Sequence, residues 1–265
     1  MTTLKNGAIM VLCRVTWIAV LLLVAGAADW PRFRGRNGGG STESTGLPLR
    51  WSSTENIAWK TSLPGYGSSS PIVVGDRIFV TCYSGYGLDR KNPGEMEDLR
   101  LHVVCLSTSD GRILWDRRIR PRLPEREFSG YMVNHGYASA SPTSDGKAVY
   151  AFFGRSGAWA FDLNGKLLWK VNLGDNTHEF GTGGSPILDG DLVVFNATVE
   201  SGDLVALNKA TGEEVWRYSY PCSWGAYGTQ TTPTIDGKYV YTLSIDGDLY
   251  SLNAKNGRVR WVKNL

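Results

Sequence analysis

The chain has 265 residues, of which 42% are hydrophobic and 20% charged, and its 28 basic and 25 acidic side chains leave a net charge of +3. There is ample apolar material for a sizeable core and no charge excess of the kind that nucleic acid selects. Residues 1–28 carry Lys5 and Arg14 and no acid, then an apolar run from Val15 to Val24 and the small residues Ala25, Gly26, Ala27 and Ala28. That order predicts a secretory signal peptide cut near Ala28. The run is too short for a membrane span, and Cys13 precedes it, so a lipid-bearing Cys at the cleavage point is not expected. With the signal gone the balance is 26 basic against 25 acidic side chains, or +1. Export puts the mature chain in the periplasm or outside the cell, an oxidising setting. Cys82, Cys105 and Cys222 remain there, enough for one internal bridge. A Cys82–Cys105 pair on consecutive predicted strands is one reading, and small buried thiols are the other.

Residues 29–55 form a lead-in, and Asn56 to Leu63, with Trp59, reads as one strand ahead of any complete unit. From there the chain repeats itself. A run of small residues closing on Pro71, Pro142, Pro186 or Pro233 opens each unit. A Gly-containing turn and a Trp-bearing strand close it, as Gly111 to Trp115, Gly165 to Trp169, Gly212 to Trp216 and Gly257 to Trp261. Successive Trp lie 54, 47 and 45 residues apart, and the two landmarks never change order. Two further apolar runs separate them, for example Lys147 to Phe153 and Ala158 to Asp162, so each unit holds four strands. The units are drawn at 64–119, 120–173, 174–219 and 220–265. Asp145-Gly146, Asp189-Gly190 and Asp236-Gly237 are the hairpin turns this pattern needs. Unit one has 44 residues from Pro71 to Trp115 against 27 to 30 elsewhere, and its excess, Tyr83 to Leu99, reads as a surface loop.

No segment of helical length has a 3.6-residue apolar period, and runs such as Ala148 to Phe153 are apolar on both faces. Sheets apolar on both sides must be covered by neighbouring sheets, which radial stacking achieves. The predicted fold is therefore an all-β propeller of four-stranded antiparallel blades, with four complete blades and one surplus N-terminal strand. Small residues before each Pro suit the crowded axis. Trp59, Trp115, Trp169, Trp216 and Trp261 on outer strands suit the widening wedge between blades, where each of the last four is expected to pack on the blade that follows.

The run of small residues, Pro, Asp-Gly and Gly-x-x-x-Trp resembles PQQ-like (quinoprotein-type) propeller repeats. The opening Asp29-Trp30-Pro31-Arg32-Phe33-Arg34-Gly35 with Gly46-Leu47-Pro48 resembles the start of a secreted bacterial subfamily. The resemblance covers nearly the whole mature chain and implies a ring of seven or eight blades, of which this sequence supplies the N-terminal part. It implies kinship both with BamB-like outer-membrane assembly scaffolds and with quinone-dependent alcohol or sugar dehydrogenases. The dehydrogenases use PQQ with calcium held by Glu, Asn and Asp, a general-base Asp and a Trp floor, and several carry a vicinal Cys pair. No adjacent Cys pair and no mappable Glu, Asn and Asp set occurs in this sequence. The function expected is a non-catalytic extracytoplasmic scaffold for a protein, polysaccharide or small ligand, without cofactor. PQQ with calcium belongs only to the alternative, a dehydrogenase or a fragment of one.

Spacing from the prolines places Tyr66, His135, Tyr137, His178, Phe180, Trp224 and Tyr227 near one rim of the channel. Such an aromatic and polar mixture suits a ligand or peptide, or it plugs the gaps between blades. Both readings stay open. Arg117 to Arg122 reads as a solvated basic loop between blades, and Asp189-Gly190-Asp191 and Asp246-Gly247-Asp248 read as turns without calcium.

Overall fold

A computed structural model describes residues 29–221 and 231–265. These form four separate four-stranded sheets, each an antiparallel meander whose strands pair in chain order. The first holds β1 (Ile72–Val74), β2 (Arg77–Ser84), β3 (Arg100–Ser107) and β4 (Ile113–Ile119). The second holds β5 (Thr143–Ser144), β6 (Ala148–Phe152), β7 (Ala158–Asp162) and β8 (Leu167–Val171). The third holds β9 (Ile187–Asp189), β10 (Leu192–Ala197), β11 (Asp203–Asn208) and β12 (Glu214–Ser219). The fourth holds β13 (Thr234–Asp236), β14 (Tyr239–Leu243), β15 (Asp248–Asn253) and β16 (Val259–Asn264). Two single-turn helices, α1 (Met132–His135) and α2 (Thr198–Ser201), sit in the connections.

The blades meet face to face. One apolar cluster joins Phe79, Val103 and Trp115 of the first blade to Val149, Ala151 and Phe161 of the second. A second joins Tyr150 and Trp169 to Phe195 and Val205, and a third joins Leu204 and Trp216 to Tyr250 and Leu252. Burial on both faces of the middle strands is why these runs show no polar alternation.

Two devices set the stacking. The first lies at the inner strands, where β1, β5, β9 and β13 follow one another side by side. The residue before each proline links consecutive blades: the Ser70 N–H donates to Ser141 Oγ (2.8 Å), the Ser141 N–H to Ser185 Oγ (3.0 Å) and the Ser185 N–H to Thr232 Oγ1 (3.1 Å). The small-residue runs thus limit volume and also supply one hydroxyl per blade to receive the previous blade's backbone donor.

The second device lies at the outer strands. The Trp169 indole N–H donates to Lys209 O (2.9 Å), in the last hairpin of the next blade, and its ring lies against Gly212 of that hairpin. Trp115 does the same with Leu163 O (2.9 Å) and Gly165, and Trp216 with Ala254 O (2.8 Å) and Gly257. A Cβ built on Gly165, Gly212 or Gly257 would fall 2.7–2.8 Å from an indole carbon, so each hairpin needs a residue without one. The cross-strand partners of these Trp are small, Cys105, Ala160 and Ala206, and the pairing slips by one residue just beyond each. The slip is a β-bulge that lets the indole lean outward.

Trp59 occupies the same socket on the first blade, donating to Thr108 O (3.0 Å) and covering Gly111, while Thr61 Oγ1 donates to Gly111 O (2.6 Å). Residues 56–63 pair with no strand and begin at Asn56 with φ +57°, so the expected strand is present only as a docked segment. Trp261 corrects the expectation that every outer Trp is wedged. It is 37% exposed, and among the described residues the one aromatic ring it meets is Tyr241 of its own sheet.

Three more expectations change. Cys82 and Cys105 are both free and buried. Cys82 pairs with His102 and Cys105 with Phe79, an offset of three that points the thiols to opposite faces of the sheet. The Tyr83–Leu99 stretch is only in part a surface loop, since Tyr86 and Leu99 are buried. The basic run is not a free loop: Arg117 and Arg118 lie on β4, Arg117 clasps Gly165 O of the next blade, and Arg122 pairs with Asp175. The lead-in runs along the inner strands, exchanging two 2.9 Å backbone bonds between Trp30 and Val73 and accepting one from the Ser144 N–H at Pro31 O.

Candidate functional site

The connections at one end of the second and third blades enclose a cleft lined by Glu125, Met132, Tyr137, Arg155, His178, Thr182 and Glu200. Its free volume is ≈ 40 Å³, room for a few waters. Glu125 enters on the segment after β4, Arg155 on the turn after β6, His178 and Thr182 on the segment before β9, and Glu200 on α2. Gly154 has φ +55° and packs so tightly that a Cβ there would lie 2.6 Å from Thr182 Oγ1 and 3.0 Å from Glu200 Oε1.

The polar groups are incompletely matched. Glu200 is 2% exposed; its Oε1 accepts a hydrogen bond from Thr182 Oγ1, and its Oε2 has no partner. Glu125 Oε1 accepts from Ser156 Oγ (3.1 Å). Arg155 Nη1 donates to Pro124 O, while its Nε is buried and unpartnered. Burial pushes both carboxyls up to about 7, with the Glu125 charge adding to the rise at Glu200 and Ser156 and Arg155 opposing it at Glu125. Burial also lowers His135 and His178 below the ordinary imidazole value.

Of the rim residues picked from sequence, Tyr137 and His178 line this cleft. Tyr137 is a core residue whose hydroxyl donates to Arg126 O (2.7 Å) and whose ring packs edge-on against Tyr83 (5.3 Å). His135 adjoins the cleft through Gly181; its Nδ1 lies 3.0 Å from Gly136 O, and its Nε2 has no partner. Phe180 stands at the mouth, 40% exposed, with His178 at 5.1 Å on one side and the exposed Tyr131 at 4.6 Å on the other. Tyr66 is elsewhere, 61% exposed and bridged by its backbone to Tyr83. Trp224 and Tyr227 lie outside the described residues. Glu125, Arg155, Thr182 and Glu200 went unpredicted, because nothing in their sequence spacing marks them as neighbours.

Two other arrangements bear on chemistry. Ser84 Oγ is 2.8 Å from His102 Nε2, and His102 Nδ1 is 2.9 Å from Asp116 Oδ1, the connectivity of a hydrolase triad. His102 is completely buried, so the trio ties β2, β3 and β4 together. A second cavity of ≈ 380 Å³ lies between the lead-in, with Arg32 and Arg34, and the inner strands near Ile187 and Pro233.

Residues 97–265, well over half of the chain, match the family described as outer membrane protein assembly factor BamB. The chain belongs to this family. It is a PQQ-like repeat protein related to BamB. It is 25% identical over 141 residues to the BamB of Yersinia pestis, covering 51% of this chain and 35% of that one. Among solved structures, the quinohemoprotein alcohol dehydrogenase of Comamonas testosteroni matches 89% of this chain and 41% of its own, with a TM-score of 0.58 and 14% identity. A europium-containing methanol dehydrogenase matches 75% and 43%, with a TM-score of 0.53 and 15% identity. These two likenesses speak for fold alone. The chain spans about a third of the BamB relative's length. Among the described residues no three His, Cys, Asp or Glu side chains converge as metal ligands. They therefore offer no cluster of the acidic donors on which a calcium ion beside a quinone would draw.

Proposed function

We propose that this BamB-family chain is an exported, non-catalytic β-propeller scaffold that presents its rim to a protein partner. The reading includes a signal peptide over 1–28, a lead-in over 29–55, and blades at 64–119, 120–173, 174–219 and 220–265 within a larger ring. The observation that carries it is the row of Tyr131, Phe180 and His178, in which two large exposed rings stand beside the cleft-lining His178. Exposed aromatics on a rigid frame are what interfaces use as anchors. The described residues contain no helix long and apolar enough to cross a membrane.

The competing activity is tested on the purified chain by adding PQQ and calcium, then following quinone absorbance and dye-linked oxidation of alcohols and sugars. The scaffold reading expects neither signal. Substrate-dependent dye reduction would overturn it. Export is tested separately by fractionating cells and sequencing the N-terminus of the protein, where Asp29 is the expected first residue.

A further inference from the structure

We infer that the cleft between the second and third blades is a receptor for a primary ammonium group, carried by a lysine side chain or by a free alkylamine. The inference deepens the scaffold reading by naming what the rim recognises, and it rests on that reading only for the idea that a partner approaches there.

The first argument is the unmatched carboxyl. Glu200 lines the cleft, is almost wholly buried, and has one of its two oxygens, Oε2, without a hydrogen bond. A buried acceptor left unmade costs about 1–3 kcal/mol, and more if it is charged. A donor that enters from outside removes that cost.

The second argument is charge. Glu125 and Glu200 share the lining with two cations, Arg155, whose guanidinium already serves Pro124 O, and Arg126, which is exposed to solvent. The lining is neutral overall with both carboxyls ionised, but no ion pair joins either Arg to Glu200 among the described residues, and without a ligand burial favours its protonated form. The other charged or titratable groups on the surrounding elements are accounted for. Asp175 pairs with Arg122, and Glu179 is the neighbour of His178. His135 and His178 are held toward the neutral form by burial, and Tyr137 is held protonated by it.

The third argument is size. The free volume of ≈ 40 Å³ takes a group about as large as a few waters, which an ammonium head satisfies and a quinone does not. The trio of acidic or imidazole ligands that would favour a divalent cation does not occur among the described residues. An ammonium asks only for acceptors, which Glu200 Oε2 and the Glu125 carboxylate supply.

Binding then displaces a proton, since the cation requires ionised carboxyls while lysine stays protonated throughout this range. Affinity should rise about tenfold per pH unit for each carboxyl that must lose its proton, so up to about a hundredfold per unit below pH ~7, and level off above it. The test titrates the full chain with n-butylammonium chloride at several pH values, by calorimetry and by the carbon shifts of the Glu carboxyls. Parallel arms use a lysine-containing peptide and its norleucine twin. Saturable n-butylammonium binding with the stated pH slope, weakened tenfold or more in E200Q and in E125Q, supports the inference. Two variants are used so that loss of folding in one, seen by melting, leaves the other informative. A lysine peptide that binds where its norleucine twin does not assigns the group to a polypeptide, and binding of the amine alone assigns it to a free amine. No saturation by either, binding equal to that of n-butanol, or binding unchanged in both variants overturns it. Failure here leaves the scaffold reading standing, because that reading falls only to dye reduction.

Discussion

Replacing Trp169 by Ala should lower the unfolding free energy by about 4 kcal/mol. The indole is only 7% exposed, and a Trp side chain buries about 200 Å² at roughly 25 cal/mol/Å², which gives about 5 kcal/mol before the retained Cβ is subtracted. The lost bond to Lys209 O adds about 1 kcal/mol, and partial collapse of the neighbouring hairpin returns a similar amount. Trp261 is the internal control. It belongs to the same repeat position but is 37% exposed and meets no Gly-bearing hairpin among the described residues, so Trp261→Ala in this chain should cost about 1 kcal/mol or less. Urea unfolding followed by circular dichroism and by tryptophan fluorescence separates the two, and thermal melts should place W169A about 8–16 °C below the parent. Equal costs at the two positions, or a W169A cost near 1 kcal/mol, would refute the plug-and-socket account.

Ser141→Ala should cost about 1–2 kcal/mol in the same assay, because it leaves the Ser70 N–H without its acceptor; a neutral result would mean the inner relay is incidental. The pH dependence of stability follows from Glu125 and Glu200, whose folded-state carboxyls sit at about 7 against an ordinary 4.5. The folded chain holds these protons longer than the unfolded one, so the groups' contribution is full below pH 4.5 and is lost as pH rises through 7. Urea unfolding across that window should show the parent losing stability relative to E125Q/E200Q, and parallel curves would disprove the burial of these groups. Burial pushes Cys82 and Cys105 up to about 11, so iodoacetamide near pH 8 should spare both in the folded chain and modify both after denaturation, as read by peptide mass.

The architecture was legible because its determinants are local and repeated. A Gly four residues before a Trp, and a hydroxyl residue before a Pro, recur often enough to read as strands and turns. Their partners were not legible, since each lies one blade away: the sequence shows that Ser141 is small, not that it accepts from Ser70. The choice between a Cys82–Cys105 bridge and two buried thiols stayed open for a related reason. Consecutive strands bring residues near, but an offset of three fixes opposite faces, and parity is known only once the register is. The rim was partly legible, as His178 and Tyr137 show. Glu125 and Glu200 were not, because connections of unequal length bring them together without a common motif.

The Gly-x-x-x-Trp stretch carries both halves of a joint, since its Gly receives the ring of the unit before and its Trp enters the unit after. A duplicated unit therefore arrives with matching ends on either side and can be spliced between existing neighbours without any compensating substitution. Lineages built on such a joint can change their number of units by simple copying, while the irregular connections at the rim are left to diverge one by one.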